Sequence, residues 1–182
     1  MRLSVKKLED PRARGYIKFM NRFFVLIAIL TGVLWISLST VQGLSAQRIN
    51  KLVTFGREMV TIRSGGKAHK FLVELALSKR QHAQGLMFRR RMAPDAGMLF
   101  VYRREEPTAM WMKNTFIPLD MLFIARDGTV RRIEERTVPM SEAVISSGGP
   151  VVAVLELNAG TASRLGLRPG GKVVSTSLGT LR

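Results

Sequence analysis

Beyond residue 57 the chain repeatedly alternates apolar and polar positions with a period of two, and each such run predicts a strand. In HKFLVELAL, Phe71, Val73, Leu75 and Leu77 alternate with Lys70, Leu72, Glu74 and Ala76. EMVTI precedes this run across RSGGK, so the two read as a hairpin turned at Gly65-Gly66. Ser78 with Gln81 three residues later has the form of a capping box, opening a short helix through about Leu86 with Gly85 as its stop. MAPDAG is a turn cluster, GMLFVY a buried strand and RREEP a charged loop. LDMLFIA and VVAVLEL are apolar on both faces, the mark of central strands covered on both sides. An Asp-Gly pair at 127–128 turns the chain into VRRIEERT, a more exposed strand. SSGGP reads as a loop, Asn158 as the cap of a short helix through Leu165, and KVVSTS as the last strand after a Pro-Gly-Gly turn. The sum is a mostly β (α+β) chain, a compact antiparallel barrel-like domain of about eight strands with two short helices. A β-sandwich is the nearest competitor.

The first fifty residues follow a different rule. Residues 1–22 carry seven Lys/Arg against Glu9 and Asp10, and FFVLIAILTGVLWISL then runs almost wholly apolar into STVQGLSA. A basic segment, an apolar segment and a small-residue exit describe a secretory signal, with exits after Gly43 or Ala46. The alternative is an uncleaved N-terminal anchor, although a spanning helix wants ~20 apolar residues. The expected organisation is a signal or anchor over 1–46, a linker over 47–56 and one β-rich domain over 57–182. Either outcome sends the domain across the membrane. It would be periplasmic, or held at the inner membrane by the N-terminal segment.

That compartment changes the meaning of the charge. The formal total is +16, of which residues 1–22 supply +5 and the remainder +11. In an exported protein such an excess points to anionic envelope components or to solubility, and not to nucleic acid. The absence of cysteine excludes disulfides, thiol catalysis and Cys-based zinc sites. The two histidines, His69 and His82, lie in a strand and on the short helix without metal spacing or a nucleophile elbow. No cofactor and no metal is implied.

Candidate chemistry concentrates in TAMWMKNTFIPLD, residues 108–120. Read as a strand, it turns Met110, Met112 and Asn114 one way and Ala109, Trp111 and Lys113 the other. One reading closes a barrel end with Trp111 and lets Lys113 snorkel outward. The other places Trp111 and Lys113 in a pocket wall, the ring stacking on a sugar face, Lys113 neutralising an anion and Asn114 donating and accepting. Either way Trp111 is expected at the rim with part of its ring reachable. Asp120 is expected to buttress Lys113 or Arg89. Glu156, between apolar neighbours, should be partly buried and draw Arg89 or Lys113 as partner.

Four strings carry a resemblance: GLMFR at 85–89, GMLF at 97–100, WMKNTFIPLDMLFI at 111–124 and VLELNAG at 154–160. From Gln84 to Val174 the chain resembles domain of unknown function family 192, with FLVELALSKRQHAQ fitting the family's first strand and helix. Gly171 departs from the family, standing where an Asp usually follows the glycine. The resemblance implies a compact, mostly β barrel-like exported domain without an established activity. It also implies a shared polar set of Arg89, Lys113, Asn114, Asp120 and Glu156. Three functions follow as expectations. The first is an exported, non-catalytic envelope domain binding an anionic small molecule, glycan or envelope partner through Arg89, Trp111, Lys113 and Asn114. The second is a small hydrolase using Asp120 or Glu156 as acid or base, and the third a protein-interaction scaffold without a pocket.

Overall fold

The computed structural model describes residues 53–180. The expected signal or anchor and most of the expected linker lie outside them. The domain is mostly β: seven strands, β1 Gly56–Ser64, β2 Lys67–Ala76, β3 Ala96–Met110, β4 Leu119–Ile124, β5 Val130–Glu134, β6 Ile145–Asn158 and β7 Lys172–Val174. Two short helices, α1 Lys79–Gln84 and α2 Thr161–Leu165, complete the described residues. The strands form one sheet in the order β5-β4-β6-β3-β2-β1-β7.

The sheet curls until its two edges meet. Thr129 bridges Lys172, Val130 N donates to Gly171 O at 2.8 Å, and Val173 N donates to Gly128 O at 2.8 Å. Closure in this way removes most of the exposed strand edge. The local turns are those the sequence predicts. Gly65 and Gly66 take φ of 56° and 75° in the β1–β2 hairpin, where a two-residue turn of this hand needs positive φ twice. At α1, Ser78 Oγ accepts from Gln81 N, and Gln81 Oε1 accepts from Ser78 N at 2.9 Å, a complete capping box.

Four expectations change. The strands number seven among the described residues. β2 and β3 run parallel, joined by a crossover that contains α1, whereas every other pairing is antiparallel. RREEP and SSGGP are not loops. They belong to β3 and β6, which face each other through register shifts between Val101 and Glu106 and between Pro107 and Ala109. The irregularity accommodates Pro107, which has no N–H for a regular ladder. The short helix after β6 is capped not by Asn158 but from Gly160, and Asn158 Nδ2 instead donates to Ala93 O at 2.9 Å.

The sheet has two apolar faces. The interior cluster draws on all seven strands, with Ile62, Val73, Leu99, Leu122, Val130, Leu155 and Val173 among its members. A second cluster covers the outer face of the central strands, where Met98, Phe100, Met121, Phe123 and Val154 pack beneath Leu86, Met112 and Ile117. Because β4 is buried on both sides, all six of its residues are inaccessible, as LDMLFIA predicts. Met121, Phe123 and Val154 are fully buried and Val152 nearly so. A methyl group on Gly97 of β3 would lie 2.6 Å from Glu156 O and 2.8 Å from Leu157 Cδ2. Only glycine lets β3 and β6 approach this closely, next to the residue on which the site turns.

Candidate functional site

Glu156 stands on the outer face of β6, between Met98 of β3 and Met121 of β4 in register. It is 4% exposed. Neither Arg89 nor Lys113 reaches it, contrary to expectation, and among the described residues its carboxyl has no hydrogen-bond or ion-pair partner. Burial alone pushes its pKa up to about 8, so the neutral acid dominates at pH 7. A carboxyl in this condition donates one O–H and still accepts.

The carboxyl lines a cavity of ≈ 220 Å³. His82 of α1, Phe100, Tyr102 and Met110 of β3, and Trp111 and Lys113 beyond it contribute to the same lining. The His82 ring meets Tyr102 edge-on at 5.1 Å between centroids, and its Nε2 lies 2.8 Å from the Ala76 carbonyl, which can only accept. Tyr102 is held above the usual phenol range by its burial and then by Glu156 and Glu106. With Glu156 buried and Trp111 49% exposed, the cavity runs from a buried carboxyl to an aromatic and cationic mouth. Lys113 Nζ sits 5.2 Å from the Trp111 ring centre and pairs at the surface with Glu142 at 3.3 Å.

The stretch TAMWMKNTFIPLD is not a continuous strand. β3 ends at Met110, Met112 N donates to Ser141 O, and Thr115 N donates to Met112 O, closing a turn. Trp111 therefore occupies the rim, as expected, while Met112 is buried on the outer face of the sheet. Asn114 serves the turn. Its φ is 55°, a conformation Asn tolerates, its carbonyl accepts from Phe88 N at 2.8 Å, and its side chain contacts Met87 Sδ.

Two other expected residues work elsewhere. Arg89 makes a two-pronged ion pair with Glu74, at 3.0 and 2.6 Å, which holds the loop after α1 onto β2. That hydrogen bonding keeps Glu74 below its ordinary pKa and Arg89 above its own. Asp120 buttresses neither Lys113 nor Arg89. Its Oδ1 accepts from Arg136 N at 2.9 Å and Gly160 N at 3.0 Å, and its Oδ2 accepts from Ala162 N at 2.8 Å. Asp120 is a buried staple that caps α2 from a neighbouring strand.

Of the six expected residues, the cavity collects Trp111, Lys113 and Glu156. Sequence reasoning did not name Phe100 or Tyr102, set His82 aside, and turned Met110 away from Trp111, whereas the end of β3 at Met110 lets both line the cavity. The alternation of FVYRR already separates Phe100 and Tyr102 from Val101, but nothing local says that this face is roofed by α1.

Residues 60–175 match the family model described as Uncharacterized ACR, DUF192. A crystal structure of a Sinorhizobium meliloti 1021 protein, provisionally described as a transcription regulator, superposes with a TM-score of 0.68 at 53% identity. The match covers 69% of this chain and 98% of that one. A protein of unknown function from Novosphingobium aromaticivorans DSM 12444 superposes with a TM-score of 0.65 at 38% identity, over 68% of this chain and 89% of that one. No curated protein matches.

Proposed function

The chain belongs to the DUF192 family, and from that premise we propose that it is a non-catalytic binding domain of the cell envelope, exported behind its N-terminal segment, whose cavity takes a compact anionic ligand. The observation that carries this reading is Glu156, a buried carboxyl without a partner at the floor of a lined cavity. Unpaired buried polar groups cost stability, and this one opens on a cavity from which a ligand can supply the missing partner. The cavity, at ≈ 220 Å³, is smaller than the roughly 300–1,000 Å³ of drug-sized sites. It suits a single small acid, or one acidic end-group of an envelope glycan.

In this reading the neutral Glu156 donates a hydrogen bond to a ligand oxygen, the Trp111 face stacks on its apolar side, and Lys113 exchanges Glu142 for the ligand's charge. A hydrolase built on two carboxylates finds less support, because Asp120 is engaged by three backbone N–H groups and only Glu156 faces the cavity. The label of the Sinorhizobium relative, together with the positive charge, makes DNA a useful control ligand.

The test is a panel of small carboxylates, glycerol phosphate, glucuronate and DNA, read by thermal shift and Trp111 fluorescence. Binding of a small acid is expected to weaken as pH rises through about 8. His82, Tyr102, Lys113 and, through Tyr102, Glu106 are the other titratable groups around the cavity. Glu156→Gln should remove that pH dependence. Binding that Glu156→Gln and Trp111→Ala leave unchanged, or binding of DNA alone, overturns the proposal.

A further inference from the structure

A second feature adjoins the cavity mouth and shares Trp111 and Lys113 with it, but most of its residues lie outside the cavity lining. Three loops, 86–91, 111–117 and 136–144, are laced together by backbone hydrogen bonds: Phe88 N to Asn114 O, Met112 N to Ser141 O and Met140 N to Thr115 O. Of the nine large hydrophobic side chains exposed among the described residues, six are in these loops: Phe88, Trp111, Phe116, Val138, Met140 and Val144. The four non-glycine residues with left-handed backbone among the described residues, Phe88, Asn114, Arg136 and Met140, are there too.

The coincidence at Phe88 and Met140 is the informative part. Their φ values are 65° and 63°, where Gly or Asn would sit with less strain, and their side chains are 59% and 50% exposed. The fold thus accepts backbone strain at both positions and recovers little burial from either side chain. Strain held at a surface position marks a site whose use lies outside the fold.

The charges on this face name the partner. The Arg90 guanidinium lies 5.5 Å over the Phe116 ring and Lys113 over Trp111, with Arg91 exposed beside them. Glu142, paired with Lys113, and Glu135 are the acidic groups nearby in the loops and at their edge. Aromatic rings interleaved with cations match the interface of an anionic bilayer, where rings sit at headgroup depth and cations meet phosphate. A second copy fits less well, since each chain brings a net charge of +11 beyond residue 22.

We propose that this loop face docks the domain on an anionic lipid bilayer, with Phe88, Trp111, Phe116 and Met140 entering the interface and Arg90, Arg91 and Lys113 meeting the headgroups. Phe88 and Met140 do not line the cavity, so docking and ligand binding can be separated.

The experiment uses residues 53–182. They contain both apolar clusters and the closed sheet, and 98% of the Sinorhizobium chain corresponds to the matched part alone. This stretch has one tryptophan, Trp111. The domain should co-sediment with phosphatidylcholine vesicles that include phosphatidylglycerol and not with phosphatidylcholine alone, and Trp111 emission should shift to the blue. Phe88→Asn with Met140→Asn should weaken vesicle binding by about tenfold or more. Its melting temperature should not fall, because Asn accepts positive φ. Vesicle binding untouched by the double substitution, an unshifted Trp111, equal binding to both vesicle types, or self-association through this face would each overturn the proposal. Loss of small-acid binding with vesicle binding intact would instead refute only the cavity reading.

Discussion

Asp120 and Glu156 are buried carboxylic acids on neighbouring strands, one step apart in register, since Asp120 pairs with Leu157 and Met121 with Glu156. They end in opposite conditions. Asp120 turns toward the junction of β4, the loop after β5 and α2, and three backbone N–H groups converge on it. Glu156 turns to the outer face, among Met98, Met121 and Val154, and meets a cavity. The difference lies in what surrounds each side chain, because the two acids are chemically alike. A buried acid with converging donors holds a fold together. One without them weakens the fold and leaves a functional group unspent.

The largest effect should follow removal of the staple. Asp120→Ala leaves three N–H groups without an acceptor, the buried one of Ala162 and the partly buried ones of Arg136 and Gly160, and a fully buried orphan costs about 1–3 kcal/mol. Urea unfolding should show a loss of more than about 3 kcal/mol, and a loss below about 1 kcal/mol would erase the contrast between the two acids.

Glu156→Gln should move stability the other way, and only where pH demands it. An ordinary Glu ionises near 4.5, and burial holds Glu156 protonated to about 8. Below about pH 4.5 both folded and unfolded chains carry the proton, and no penalty exists. Between the two values the unfolded chain ionises first, so stability falls as pH rises, and above about 8 the loss is complete. At about 1.36 kcal/mol per unit the span amounts to a few kcal/mol. The Gln variant should therefore gain little at pH 4 and most at about pH 9. Parallel unfolding curves across that range would show that Glu156 has found a partner.

Lys113→Met should have the smallest effect, within about 0.5 kcal/mol, because its ion pair with Glu142 lies at the surface. A larger loss would make the cavity mouth part of the frame and not of the site.

Local chemistry read well from the sequence. The capping box of Ser78 and Gln81, the Gly65-Gly66 hairpin, the Asp-Gly turn and the two-faced strands LDMLFIA and VVAVLEL depend on neighbours within a few residues. Trp111 is half exposed, as read, but for another reason: the strand ends at Met110, and the turn that follows, not alternation, parts Trp111 from the buried Met112. RREEP and SSGGP misled because polarity marks solvent exposure and not the lack of strand pairing.

What the sequence by itself determined was a mostly β chain, its turns, its buried strands and the short list of polar residues worth watching. Tertiary structure decided how those residues were spent. The parallel pairing of β2 with β3 and the meeting of β5 with β7 are contacts between distant segments, which no local period encodes. Arg89 went to Glu74, Lys113 to Glu142 and Asp120 to three backbone amides because those groups lay within reach once the sheet closed. Glu156 was left over. Its apolar neighbours in sequence were visible from the start, but its want of a partner is a property of the space around it, and only the folded chain defines that space.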